Sequence, residues 1–112
     1  MAVIVKVLIP AKTAENSQTT QYTANGVSAI VDKFTATNYS ANAAALSVNL
    51  VTLADTAGNQ NLITKTKTLQ PAETYTFPEL VGHVLSPGSF ISTLAGTASA
   101  INIRCSGREV TQ

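Results

Sequence analysis

Apolar and polar residues change places along this chain at a period of about two, in short runs punctuated by turn residues. Residues 3–9 read Val-Ile-Val-Lys-Val-Leu-Ile, a β-branched run that is apolar at both parities and is closed by Pro10. Successive side chains of a strand point to opposite faces. The run therefore predicts a first strand needing cover on both sides, from the protein's own core on one and another chain on the other. In residues 18–24, threonines alternate with bulkier side chains, which predicts a weaker strand. Asn25-Gly26, both tolerant of positive φ, marks the turn after it. Residues 27–37 predict a longer strand with Ile30, Phe34 and Ala36 on one face, Asp32 as the odd member, and Val31, Lys33, Thr35 and Thr37 on the other. After a turn over 38–43, Leu46, Val48 and Leu50 alternate with Ser47 and Asn49, the pattern of a half-buried strand. At Val51-Thr52-Leu53 the apolar phase slips by one residue, as a β-bulge or a switch between sheets would produce.

The second half continues in the same way. Residues 55–61, with Ala57-Gly58-Asn59, predict a hairpin loop. In residues 62–69, Thr64, Thr66 and Thr68 share one face and Ile63, Lys65, Lys67 and Leu69 the other. Neither face is a core face, so this reads as an edge strand whose lysines discourage stray pairing. Tyr75 and Phe77 share a face of a short strand that Pro78 ends. Residues 79–85 fit one helical turn or a loop. Pro87-Gly88 fits the centre of a type II turn. Residues 90–94 and 99–105 complete the set, the last with Ile101, Ile103 and Cys105 on one face and Asn102 and Arg104 on the other. About eight strands with short turns predict an all-β fold, a two-sheet β-sandwich of jelly-roll type, as a single domain over residues 1–112. Within it, the apolar run over 1–10 fits either a central strand or a strand docked at an oligomer interface.

Composition narrows the function. Of 112 residues, 45% are hydrophobic but only 12% are charged, about half the usual share. The surface must then be largely Thr, Ser, Asn, Gln and Ala, which suits a protein packed against copies of itself or a partner. The net charge of +1 comes from scattered residues. Without a basic stripe, nucleic acid is not an expected partner. The amino-terminal run is too short for a membrane helix, lacks the basic start of a signal peptide and is interrupted by Lys6. No membrane partner is expected, and synthesis in the cytoplasm is.

Reactive chemistry is sparse. His83 is the one histidine, too few for the histidine cluster of a cupin-type metal site, so no metal or cofactor is expected. Cys105 lies on an apolar face as a small buried hydrophobe, with Arg104 pointing the other way. Glu73 and Glu79 are the best-placed carboxylates for a glycosidase-like pair. With no tryptophan for sugar stacking, they read better as turn and cap residues. There is no phosphate-binding glycine loop and no nucleophile elbow. The expectation is a non-enzyme. Its candidate protein interface is Val3, Val5, Val7 and Ile9 of the first run, with Glu79, Leu80, Val81, His83 and Val84 of the connection over 78–87.

Five segments carry a family likeness: Ile30-Val31-Asp32-Lys33-Phe34-Thr35-Ala36-Thr37-Asn38, Leu46-Ser47-Val48-Asn49-Leu50-Val51, Pro71-Ala72-Glu73-Thr74-Tyr75, Pro87-Gly88-Ser89-Phe90-Ile91 and Ile103-Arg104-Cys105-Ser106-Gly107-Arg108-Glu109. They resemble small virion-associated proteins of tailed bacteriophages and prophages. The overall pattern, from about Gln18 to Thr111, resembles the cement or decoration proteins of short-tailed phages. The resemblance implies a sandwich on the outside of a capsid, often a homodimer, that bridges coat subunits against internal DNA pressure and has no catalytic residues. A tail- or neck-associated module binding a receptor or carbohydrate is the other expectation, through the Asn-rich loops over 38–42 and 55–61.

Overall fold

In the computed structural model, residues 2–111 are described, and Met1 of the amino-terminal run lies outside them with Gln112. The strands are β1 (Val3–Thr13), β2 (Thr19–Thr23), β3 (Ser28–Asn38), β4 (Ala44–Val51), β5 (Leu62–Leu69), β6 (Thr74–Tyr75), β7 (Val84–Leu85), β8 (Phe90–Ala95) and β9 (Ile101–Val110), with a short 3-10 turn at Asn59–Asn61. They form two antiparallel sheets packed face to face. One has the order β1-β9-β3-β6, with β7 also paired to β3, and the other has the order β2-β8-β4-β5. The chain is thus an all-β sandwich. Its pairings are nested: β1 with β9, β2 with β8, β3 with β6 and β7, β4 with β5. The pairs β3–β9 and β4–β8 join these ladders side by side.

The core lies between the sheets. Phe34, Ala36, Ile101, Ile103 and Cys105 from one sheet meet Leu46, Val48, Leu69, Ile91 and Ala95 from the other, all at most 1% exposed. Phe77 packs edge-on against Phe34, with ring centroids 5.1 Å apart, and Tyr75 packs edge-on against Phe77 at 4.7 Å. Gly107 sits where β9 passes under β3, and a Cβ there would run into the Ile30 carbonyl and a Leu8 methyl. Only glycine lets the two strands approach this closely.

Bulges account for the places where strict alternation misplaces side chains. Pairing of β3 with β9 shifts between Val31 and Lys33. Upstream of that shift Ala29 and Val31 point inward and Ile30 outward, while beyond it Phe34 and Ala36 are inside. Ile30 therefore does not share a face with Phe34, because one extra residue reverses the parity. In β5 the register shifts between Lys67 and Thr64, and Thr66 has φ +46°, so Thr64 and Leu69 both end inside. β1 runs through Pro10 to Thr13 because it lies at the sheet edge, where a missing N–H costs no ladder bond. At Val51 the strand ends rather than switching sheets, and the Asp55 N–H donates to the Thr52 carbonyl at 3.0 Å to close the turn. The Pro87-Gly88 turn is type II: Gly88 has φ +87°, and the Ser89 N–H donates to the Ser86 carbonyl at 2.9 Å.

Candidate functional site

The five-stranded sheet turns one face to the core and the other outward, and its ladder fixes which side chains share the outer face. Residues directly opposite in paired strands point the same way. Val5 lies opposite Arg108, Arg108 opposite Ile30, and Ile30 opposite Val84, so one row crosses all four strands. The next row is Val3, Val110 and Ser28, and the row on the other side is Val7, Ser106 and Lys33. Of these side chains, Val5 is 83% exposed, Val84 61% and Val3 55%. Within the row, Arg108 is held by Asp32 through Nη2 and Nε at 2.9–3.2 Å. The hydrogen bonds and charge of Asp32 raise the Arg108 pKa.

Beside the apolar rows lies an open depression of about 340 Å³ lined by Lys33, Thr35, Arg104 and Ser106. Thr35 opposes Arg104 and Lys33 opposes Ser106, so the two cations sit on a diagonal. Among the described residues neither has a carboxylate at ion-pair distance. The outer face is thus apolar at one end and cationic beside it.

The expected interface residues divide by burial. Val3, Val5, Val7 and Val84 lie on this outer face, and Val81 and His83 are exposed in the loop leading into β7. That loop is fastened to β3, since the Gly82 N–H donates to the Val31 carbonyl at 2.7 Å and the Val31 N–H to the His83 carbonyl at 3.0 Å. Ile9 and Leu80 are corrected. They are 0% and 1% exposed in the protein's own core, Ile9 beyond the β1 register shift and Leu80 by the turn that brings its N–H onto the Phe77 carbonyl. Glu79 is half-buried and accepts hydrogen bonds from the Thr64 and Tyr75 hydroxyls, so tying β5 to β6. Burial pushes its pKa up, but the bonds from Thr64, its own backbone and Tyr75, with the Lys67 charge, outweigh this and hold it below the usual value. Lys67 in turn sits over the Tyr75 ring at 4.4 Å.

Alternation had placed Ile30 inside, and Lys33, Arg104, Arg108 and Val110 carried no signal marking them as a set. The clue was Asp32, a carboxylate on an otherwise apolar parity, which is what a bulge leaves behind.

The other candidate groups are occupied structurally. Glu73 accepts the Gln70 N–H at 2.7 Å across its turn. Cys105 is buried, and burial together with the Asp32 charge pushes its thiol up to about 12, far from a thiolate at neutral pH. Among the described residues no group of three or more His, Cys, Asp or Glu is gathered to hold a metal ion. Nor is any helix among them long and apolar enough to cross a membrane. No protein-family model matches the chain, and no curated protein or solved structure matches it either.

Proposed function

We propose that this chain is a non-enzymatic structural protein of a bacteriophage virion, a cement or decoration protein that binds the capsid exterior and bridges coat subunits. The observation that carries the reading is the outer face of the five-stranded sheet, where Val3, Val5, Val7 and Val84 stand exposed beside Lys33 and Arg104. An apolar patch rimmed by polar residues is what a protein partner covers. Its unpaired cations suit a coat surface that supplies carboxylates. The low overall charge and the family resemblance point the same way. The nested pairing order supports the jelly-roll form of the sandwich: one long antiparallel ribbon, β1–β4 against β5–β9, rolled so that β9 meets β3 and β8 meets β4. Many copies acting together need only modest affinity each.

The carbohydrate-binding alternative draws less support. The Asn38 amide donates to the Asn42 and Leu69 carbonyls, and the Asn61 side chain bonds Asn49, Gly58 and Thr56. Two of the four asparagines in the loops expected to offer amides to a sugar, Asn38 and Asn61, thus use them within the chain. The deciding experiment is on virions. The protein is expected among purified virion proteins, and particles stripped of it should lose heat resistance that added protein restores. Its absence from virions would end the proposal.

A further inference from the structure

The amino-terminal half of β1 is an open edge with a defined pairing code. β9 is its only partner among the described residues. The Thr111 N–H donates to the Ala2 carbonyl at 2.9 Å, so the Ala2 backbone faces β9. In an antiparallel ladder the facing alternates residue by residue, and pairing is regular from Val3 to Val7. The N–H and C=O groups of Val3, Val5 and Val7 therefore point away from β9, toward solvent. The same three side chains lie on the outer face, and Ile4, 48% exposed, lies on the other. Long apolar edges of this kind are normally blocked or paired.

We infer that β1 pairs antiparallel with β1 of a second copy, about a two-fold axis through Val5 and perpendicular to the sheet. This register sets Val5 against Val5 and Val3 against Val7, and every outward N–H and C=O of the three valines gains a partner. Shifting the axis to Ile4 sets Val7 opposite position 1, beyond the start of β1. Shifting it to Lys6 leaves Val3 unpaired and sets Lys6 against Lys6, like charges directly opposite. In the Val5 register Lys6 instead faces Ile4 and keeps its own Glu109, 3.2 Å away. The register shift after Val7 ends the regular ladder on one side, so the segment is centred on Val5. The rows Val5–Arg108–Ile30–Val84 of the two copies then run into each other as one continuous band across a shared sheet.

The inference adds self-association to the functional reading above and involves no coat protein, so the purified chain alone decides it. A short edge is modest beside the roughly 800 Å² per partner of a typical stable interface, and the dimer is expected to be reversible with concentration. The test is disulfide trapping with single cysteines at exposed positions, Val3→Cys, Val5→Cys and Val7→Cys, against which the buried Cys105 does not compete. V5C is expected to form dimers at least about tenfold faster than V3C or V7C alone, because each of those is displaced from its own copy by four residues, about 13 Å. Mixing V3C with V7C should restore trapping. Val5→Pro, which removes an outward N–H at an edge position that tolerates proline, should abolish self-association in sedimentation. A chain that stays monomeric with no V5C dimer, equal trapping at all three positions, or undiminished association of V5P would each overturn the inference.

Discussion

Asn49, on the outer face of the four-stranded sheet, is 2% exposed, and Val5, on the outer face of the other, is 83% exposed. The polar residue is the covered one. Its amide donates to the Gly58 carbonyl at 3.0 Å and to Asn61 Oδ1 at 2.8 Å, and its oxygen accepts from Gln18 at 3.3 Å. Gln18 also donates to Ser92, its neighbour across the ladder, at 2.7 Å. The chain thus lays its own segments, 55–61 and Gln18, over that sheet, and hydrogen bonds fasten them. Among the described residues no segment is laid over the Val5 row. One outer face carries a polar code that the chain answers itself, and the other carries an apolar row and two unpaired cations that it leaves open. The bare face is therefore the one to which the proposed function assigns a partner.

Of the changes made on the two outer faces, breaking the covered one should have the largest effect. Asn49→Ala removes the bonds to the Gly58 carbonyl, to Asn61 Oδ1 and from the Gln18 amide. Each partner keeps one other bond, so the cost is that of lost hydrogen bonds at about 0.5–1.5 kcal/mol apiece rather than of a stranded group. We expect chemical denaturation to show a loss of about 2 kcal/mol, with faster amide exchange over 55–61. A variant as stable as the parent would mean that the loop is not fastened by Asn49 and that the two faces differ less than their hydrogen bonds indicate.

How much of this contrast could be read in the sequence follows from what alternation encodes. The parity of the covered face was visible as Ser47 and Asn49 between Leu46, Val48 and Leu50, but its cover was not, since a half-buried strand leaves those two open whereas both are buried. The inward set Ile101, Ile103 and Cys105 was legible from its parity too. The open face was half legible. Val3, Val5 and Val7 stood out because an apolar run of both parities cannot be covered by one core. Ile30 did not, because the bulge at Asp32 is a backbone event that residue types signal weakly. Leu80 and Ile9 looked like surface candidates because a short apolar stretch in a turn or beside a proline carries no period to say which way it faces. The Tyr22–Glu109 pairing was illegible because it joins residues far apart in the chain. The Tyr75–Glu79 pairing, only four residues long, was illegible because Pro78 breaks the strand between them and leaves no period to say where Glu79 turns.

Those pairings set the next expected effect, a loss of stability in acid. Each edge of the sandwich is tied by a carboxylate: Glu109 accepts from Tyr22 of the opposite sheet and pairs with Lys6, and Glu79 joins Thr64 and Tyr75. Both pKa values lie below the ordinary 4.5, Glu109 chiefly through the Tyr22 bond and Glu79 because its hydrogen bonds outweigh burial. A depressed carboxylate stabilises the folded state above its unfolded pKa and loses that contribution as pH falls through the folded one. Melting temperature should hold above about pH 5 and fall below about pH 4. The double variant Glu79→Gln, Glu109→Gln should show a shallower fall. An unchanged slope would place the acid sensitivity elsewhere.

The smallest expected effect is the sharpest test of the comparison. Val84→Ser removes apolar surface from the open face at a position 61% exposed and away from the β1 edge. If that face is finished without a partner, Val84 should contribute to the protein's own packing, and its loss should be felt. If the face is left open, the side chain touches little in the isolated chain, and stability should change by no more than about 0.5 kcal/mol. The buried counterpart Leu85, next in sequence and 2% exposed, supplies the scale, because Leu85→Ala should cost about 2–5 kcal/mol. Denaturation of the two variants side by side separates the possibilities. A silent Val84 beside a costly Leu85 means that β7 anchors the sheet with one side chain and offers the other outward. Capsid association, measured by co-sedimentation with stripped particles, is where the Val84 substitution should then register, as a weaker bound fraction at unchanged fold.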